Sequence, residues 1–453
     1  MVGGGITGLA TAYFLRQSGL DVTLIEAGDS LGGKIQTLEL AGVPVEAGPD
    51  TFLARVPWAV DLCRQLGLGD DLVAPATGKA WLWIGDRLRP LPERHVLGVP
   101  TALRPLVRSA VLSPAGVARA ALDLVLPPTS AGPDPSVAAV VGRRMGRQVV
   151  DRLVDPLVGG INAGRADMLS LAATARPIAD GAARSRSLVL GLRRAAPGPG
   201  GPVFLGLVGG LHRLVDRLAE EAGAADVRTA TTVTAIATGA GGYKVECAPG
   251  PHVEVETVVL TVPSFAAAGM LAALSLLSAG HLGAIRHASV VTATLAYAPS
   301  ALARPLEGAG MLVPRVEGRL ITACTWSTTK WPALAASGMV LLRASAGRDG
   351  DSRAMDLDDT ELVRRVHGEL AEALGLREPP QASLVSRWAR GFPQYDVGHQ
   401  ARVDAIEAAL AADAPGVLVA GASYRGLGIA ACVEQARRAA GLVTAPGPVA
   451  APG

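Results

Sequence analysis

The chain has 453 residues, 49% of them apolar, with 42 basic against 40 acidic side chains for a formal net charge of +2. That length supports a large core and two or three domains and excludes a small stapled scaffold. The near-neutral charge excludes a global nucleic-acid footprint, so no nucleic acid is expected as partner and any acidic ligand must be met by local arginines. Cys63, Cys247, Cys324 and Cys432 lie far apart, which fits neither a CxxC metal or redox motif nor a disulfide framework. A reducing cytoplasm is the simplest compartment, and no signal-peptide pattern opens the chain.

The first residues are MVGGGITGLA. TGLATAYFLRQSG reads as a helix stopped by Gly19, and DVTLIEA alternates as a strand ending at Glu26, which is most of a βαβ unit. Only Met1 and Val2 stand where a buried strand normally precedes such a loop, so the first strand is expected to be truncated, with ladder bonds and core contacts missing. A form carrying further apolar residues upstream is then expected to bind its ligand more tightly and melt higher.

Pro57 opens a helix through WAVDLCRQLGL that Gly67 ends, and KAWLWIGDRLRPLP reads as a hairpin turning at Gly85 and Asp86. From there to residue 205 the chain turns proline-rich and helical, with breaks at PPTSAGPDPS and APGPGGP, as an inserted domain would. GGLHRLVDRLAEEAG places Leu211, Leu214, Val215 and Leu218 on one helix face, and VRTATTVTAIA, YKVEC and VEVETVVLTVP follow as strands. SFAAAGMLAALSLLSAG falls short of the roughly 20 residues a membrane span needs and reads as a buried or interfacial helix. VVTATLAY, LITACTW and MVLLRAS are β-rich, DDTELVRRVHGELAEALG is helical, and GVLVAGAS followed by GLGIAACVEQARRAA reads as strand, glycine turn and helix. The expected division is a cofactor domain from 1–84, 206–284 and 401–443, a helical insert at 85–205, a sheet of the substrate domain at 285–400, and a disordered tail at 444–453.

Gly3, Gly5 and Gly8 have the dinucleotide-binding spacing, and Glu26 closes the next strand where a carboxylate can accept hydrogen bonds from a ribose. At this point NAD, NADP and FAD all remain open. Gly32 and Gly33 allow close backbone approach to a ligand, and Lys34 is either a phosphate or flavin contact or a solvated turn lysine. A helix N-terminus leaving GASYRGLG could stabilise negative charge on a reduced cofactor, or form an ordinary crossover.

GGGITGLATAYFL, LGGKIQT, EAGPDTFL, DPLVGGINAGRADMLSL, RWARGFPQYDVGHQARV and GASYRGLGIAACV resemble, in order and spacing, the oxygen-dependent porphyrinogen oxidases of haem synthesis, most of all the bacterial coproporphyrinogen III oxidases. The resemblance covers nearly the whole chain. It implies a mixed α/β architecture similar to that of amine oxidases: a Rossmann-like FAD-binding domain, a mixed-sheet substrate domain and a helical insert. It also implies FAD, a porphyrinogen substrate, oxygen as acceptor, hydrogen peroxide as co-product and no metal. Gly3, Gly4, Gly5, Ile6, Thr7 and Gly8 would hold the pyrophosphate, with Glu26 and Ala27 at the ribose and the backbone of Val233 at the adenine. Lys34, Gly48, Pro49, Asp50 and Thr51 would lie along the flavin, and Trp388, Leu427, Gly428 and Ile429 would close over it.

Hydride would leave a meso methylene for the flavin, so no side chain is expected to be catalytic, and His399 is expected to make a structural hydrogen bond. The substrate's propionates call for arginine forks or lysines, for which Arg55 is the first candidate, then Lys79 and Arg176. Covalent amine oxidases carry a cysteine before the last glycine turn, and AGASYRGLG has none, so FAD is expected to be non-covalent. The alternatives are a protoporphyrinogen oxidase, an amine oxidase or carotenoid desaturase on the same fold, or a non-catalytic carrier, which a flavin absorbance band released on denaturation would exclude. Transient contact with a ferrochelatase and peripheral contact with a membrane are compatible with the resemblance.

Overall fold

A computed structural model describes residues 1–127, 132–195, 201–222 and 226–445. Residues 128–131 and 196–200 of the two Gly/Pro-rich breaks and 446–453 of the expected tail lie outside these residues. Two sheets and one helical unit carry the architecture.

The first sheet is parallel and runs Asp226–Arg228, Thr23–Ile25, Val2, Val258–Leu260, Val417–Val419. Leu24, Ile25, Val258, Val259 and Leu260 are all buried, as in a sheet covered on both faces. The central position is not empty. Val2 is 3% exposed, its N–H donates to Val259 O at 3.0 Å and its carbonyl accepts from Thr261 N at 2.8 Å, while Gly3 N donates to Ile25 O at 2.8 Å. Met1 to Gly3 therefore supply ladder bonds on both sides, against the expectation that these would be missing, because a parallel ladder uses backbone groups that any residue carries. The opening helix Ile6–Gln17 packs on the closing helix Ile429–Thr444 over one face. An antiparallel meander, Thr232–Gly239, Gly242–Ala248 and Val253–Val255, covers the other through Val233, Ile236, Tyr243 and Val245.

VRTATTVTAIA, expected as one strand, is two. Ala230 adopts a left-handed conformation (φ +49°), and the chain leaves the parallel sheet there for the meander. VEVETVVLTVP likewise divides into a meander strand and a parallel one. The apolar SFAAAGMLAALSLLSAG is two helices, Ser264–Leu271 and Leu276–Gly283, the second capped by Ser275, whose hydroxyl accepts from Ser278 N at 3.3 Å. Among the described residues no helix is long and apolar enough to cross a membrane.

The second sheet has seven strands in the order Ala382–Pro393, His287–Tyr297, Val340–Ala346, Ile321–Trp326, Gly310–Leu312, Ala80–Ile84, Arg87–Pro90. Only the Gly310–Leu312 pairing with Ala80–Leu82 is parallel. The hairpin at Gly85 forms as expected, and both of its strands belong to this sheet. Helix Asp359–Leu374 lies against the sheet through Leu362, Val366, Leu370 and Leu374, capped by Asp358 and stopped by Gly375 at φ +71°.

Between the strands, residues 103–195 form a helical unit with its own core of Leu106, Val141, Leu153, Val154, Ile178, Val189 and their neighbours, into which Leu82 and Ile84 also pack. DPLVG, residues 155–159, ends the wide, π-type helix Val150–Gly159. Asp155 accepts from Ala166 N at 2.9 Å and so closes the INAGRA turn that follows.

Candidate functional site

The glycine loop is built by backbone contact. Gly3 has φ +103°, and a Cβ on Gly8 would lie 1.9 Å from Gly3 O and 2.8 Å from Thr261 Oγ1. Only glycine lets the opening helix start this close to the strand ends. Its N-cap, Gly5, has no capping side chain, the first turn holds no acidic residue, and a Cβ on Gly5 would meet nothing within 4 Å. A helix N-terminus with free N–H groups beside open space is the arrangement that takes a pyrophosphate.

Glu26 stands at the edge of that space. Its Oε2 accepts from Gly4 N at 2.6 Å and its Oε1 from Gly28 N at 2.7 Å, which fixes the carboxylate and leaves lone pairs for ribose hydroxyls. Ala27 follows it. Thr231 N donates to Glu26 O at 2.9 Å and Ala230 N to Gly28 O at 2.7 Å, so the strand bearing buried Val233 starts beside the same carboxylate.

The second glycine pair meets the first. Gly32 N donates to Gly4 O at 2.8 Å, and a Cβ on Gly33 would come within 3.3 Å of Gly5 Cα. Lys34 arrives half-buried, with no hydrogen bond or ion pair of its ammonium among the described residues, and burial lowers its pKa. A Cβ on Gly48 would sit 1.8 Å from Lys34 O.

The Glu46 to Thr51 loop is gripped from the seven-stranded sheet. Ala47 O accepts from Thr292 Oγ1 at 3.0 Å, Trp388 Nε1 at 3.2 Å and Arg343 Nη2 at 3.3 Å, and Arg343 also donates to Gly48 O. Asp50 pairs with Lys330 at 2.6 Å and accepts from Trp331 Nε1 at 3.4 Å. Burial alone would raise the Asp50 carboxyl, but Lys330 and Arg343 outweigh it and hold it below its usual value. Thr292, Lys330, Trp331 and Arg343 were not singled out in the sequence. The signal for Arg343 was there, a lone charge inside the apolar strand MVLLRAS.

Glu46 behaves in the opposite way. Burial pushes its carboxyl from 4.5 up to about 7, against the hydrogen bonds from Leu211 N at 2.6 Å and Thr37 Oγ1 at 2.9 Å and the charge of Arg343. Between those two values the folded protein holds a proton that the unfolded chain has released. The stabilisation is complete below the unfolded value and is lost as pH rises through about 7. Glu46→Gln should therefore flatten the decline in melting temperature across this window, and melts of both proteins that fall in parallel would show that another group titrates there.

At the far end, the turn from Gly421 reaches back to the opening helix, a Cβ on Gly421 lying 3.5 Å from Thr7 Oγ1. Leu427, Gly428 and Ile429 then start the closing helix, again with no side-chain cap and no acidic residue in its first turn, and with open space at Gly428. His399 Nε2 donates to Tyr424 O at 2.7 Å, and burial lowers the imidazole to about 4, so it is a neutral structural group. Arg55 and Lys79 are exposed in two separate connecting segments and Arg176 at the start of helix Arg176–Arg184, and none of their side chains has a hydrogen bond or ion pair among the described residues.

The family described as flavin containing amine oxidoreductase matches residues 6–444. The chain belongs to this family. It is 36% identical to a coproporphyrinogen III oxidase of Bacillus subtilis (strain 168) over 97% of this chain and 96% of that protein. It is 31% identical to one of Staphylococcus aureus (strain NCTC 8325 / PS 47), over 97% of each. A solved structure from Exiguobacterium sp. 255-15, whose name offers it provisionally as a protoporphyrinogen oxidase, superposes with a TM-score of 0.88 at 32% identity, over 97% of this chain and 96% of that one. In a flavin-containing family the two open helix N-termini, the Glu26 carboxylate and Lys34, unpaired among the described residues, fit the pyrophosphate, ribose and flavin ends of FAD.

Proposed function

We propose that the protein oxidises coproporphyrinogen III to coproporphyrin III with FAD and oxygen, releasing hydrogen peroxide, in haem b synthesis. The observation that carries this reading is the near end-to-end likeness to two coproporphyrinogen III oxidases, at 36% and 31% identity. When bound, FAD supplies the two-electron acceptor that the side chains lack and returns the electrons to oxygen.

The protein's part is to bind, orient and exclude water. The head of the opening helix holds the pyrophosphate, Glu26 and Ala27 the ribose, and Val233 lies by the adenine. Lys34 and the loop Gly48, Pro49, Asp50, Thr51 lie along the flavin, with Trp388 and Leu427 to Ile429 closing on it. Trp388, Thr292 and Arg343 together turn the Ala47 carbonyl toward the sheet, which fixes the loop before any ligand binds. Residues 1–79, 206–284 and 401–443 form the cofactor unit, and the insert with the seven-stranded sheet forms the substrate unit. Arg55, Lys79 and Arg176 are the candidates for the propionates. Three two-electron steps consume three oxygen molecules and release three of hydrogen peroxide per porphyrin.

A cytoplasmic enzyme touching a membrane peripherally and a ferrochelatase transiently belongs to the same reading. Leu276 and Leu277, 80% and 61% exposed at the head of their helix, support the membrane contact. Oxygen uptake and porphyrin fluorescence with both porphyrinogens test the function. Coproporphyrinogen III should be consumed in preference, and turnover of protoporphyrinogen alone would refute the reading.

A further inference from the structure

The motif PQYDVGH is absorbed neither by the nucleotide loop nor by the propionate candidates, yet three parts of the molecule meet on it. Tyr395 is 2% exposed. Its hydroxyl donates to Ala422 O at 2.7 Å and accepts from Gly426 N at 2.9 Å, closing the turn ahead of the last helix like a cross-bar. Its ring stacks on His399 at 4.0 Å between centroids and 13° between planes, and His399 in turn holds Tyr424 O. From the other side Gln435 accepts from Gly421 N at 3.2 Å and Arg425 N at 3.3 Å and donates to Gly426 O at 3.1 Å. The turn needs these bonds, because Gly421 and Gly426 stand at φ +123° and +135°, where the backbone has no regular partner.

The same short segment seats the insert. Ser170 N donates to Tyr395 O at 2.8 Å, Val397 N to Met168 O at 3.0 Å, Gln394 Nε2 to Asn162 O at 3.0 Å and Gly398 N to Asp134 Oδ2 at 2.6 Å. Asp396 is held by Arg286, which also pairs with Asp349 beyond the strand Val340–Ala346.

We propose that Tyr395 is a positioning residue whose hydroxyl sets where the N-terminus of the closing helix points at the flavin. Burial keeps the phenol un-ionised, so it serves as donor and acceptor at any working pH. The free N–H groups of Gly428 and the residues after it favour negative charge on whatever faces them, and that charge grows when the flavin is reduced. Phenylalanine keeps the ring and its stack but leaves Ala422 O and Gly426 N without their partner. The turn then loosens and the helix head no longer holds one place. This rests on the flavin reading of the site and not on the identity of the substrate.

The test is Tyr395→Phe in the FAD-loaded enzyme, read by flavin midpoint potential and by FAD dissociation. The potential should become more negative, and FAD should bind about fivefold to tenfold more weakly, as the loss of a neutral hydrogen bond gives. Unchanged potential overturns the proposal, whether or not affinity falls, since a purely structural pin would weaken binding alone. If Tyr395→Phe fails to load flavin, His399→Gln, which removes the stack that seats the ring and so aims the hydroxyl, should shift the potential the same way by less, and no shift overturns the proposal too. Neither readout uses a porphyrinogen, so the substrate reading can fail while this one stands.

Discussion

Alanine at position 8 will weaken FAD binding by about tenfold to hundredfold, the equivalent of the roughly 1–3 kcal/mol that overpacking a tight contact costs. The added Cβ would fall 1.9 Å from Gly3 O and 2.8 Å from Thr261 Oγ1, which are main chain and a hydroxyl already donating to Val2 O and Gly3 O. Neither can swing away, so the opening helix must lift off the strand ends and take its N–H groups with it. Gly5→Ala makes the comparison decisive. A Cβ at that position touches no protein atom within 4 Å and fills only the space where the pyrophosphate would sit. Gly8→Ala should therefore lower both the melting temperature of the apoprotein and its affinity for FAD, while Gly5→Ala lowers affinity alone. Calorimetry of the apoproteins and equilibrium dialysis with FAD measure both, and full FAD affinity in Gly8→Ala would mean that the cofactor sits elsewhere.

The glycine loop and open helix N-terminus proposed for the nucleotide were legible in the sequence because their information is local. Gly3, Gly5, Gly8 and Glu26 fall within one βαβ unit, the glycines shaping the loop through their own backbone and Glu26 accepting from Gly4 N and Gly28 N. Breaks set by long-range pairing were not legible. Nothing in VRTATTVTAIA marks Ala230 as the residue that turns left-handed, because what holds it there is Ala230 N on Gly28 O and Thr231 N on Glu26 O, some 200 positions away in the chain. The hairpin Ala80–Pro90 was read correctly as a hairpin, but the sheet it joins was not legible for the same reason. Its sheet is chosen by pairing of Ala80, Trp81 and Leu82 with Gly310, Met311 and Leu312.

The loop proposed to lie along the flavin shows the same division. Gly48 and Asp50 were picked out through the resemblance, whereas the side chains that hold them come from four distant places in the second sheet and its connections. Thr292 reads as an ordinary strand threonine, Lys330 as a surface lysine before Trp331, and Trp388 was noticed only through resemblance. Tyr395 stood in a quoted motif, but its partners Ala422 and Gly426 are small backbone donors and acceptors that no composition pattern reveals.

Asp123→Asn will destabilise the helical insert by about 3–5 kcal/mol, the cost of leaving a buried ion without its partner. Asp123 is fully buried and accepts from Arg144 Nε at 2.8 Å, Ser187 Oγ at 2.6 Å, Leu188 N at 3.2 Å and Val189 N at 3.0 Å. It thereby neutralises a guanidinium that is itself 3% exposed and satisfies the head of helix Leu188–Ala195. The amide keeps an acceptor but not the charge, so Arg144 is left with carbonyls alone, those of Asp123, Leu126 and Pro127. Because the insert has its own core, the loss should appear as a separate early transition in denaturant, with protease cleavage inside 103–195 while FAD remains bound. Removing the other charge as well, Asp123→Asn with Arg144→Met, should recover part of the loss, since no charge is then stranded and the amide still accepts at the head of helix Leu188–Ala195. A shift below about 1 kcal/mol in Asp123→Asn would mean that water reaches the pair and screens it as at a surface.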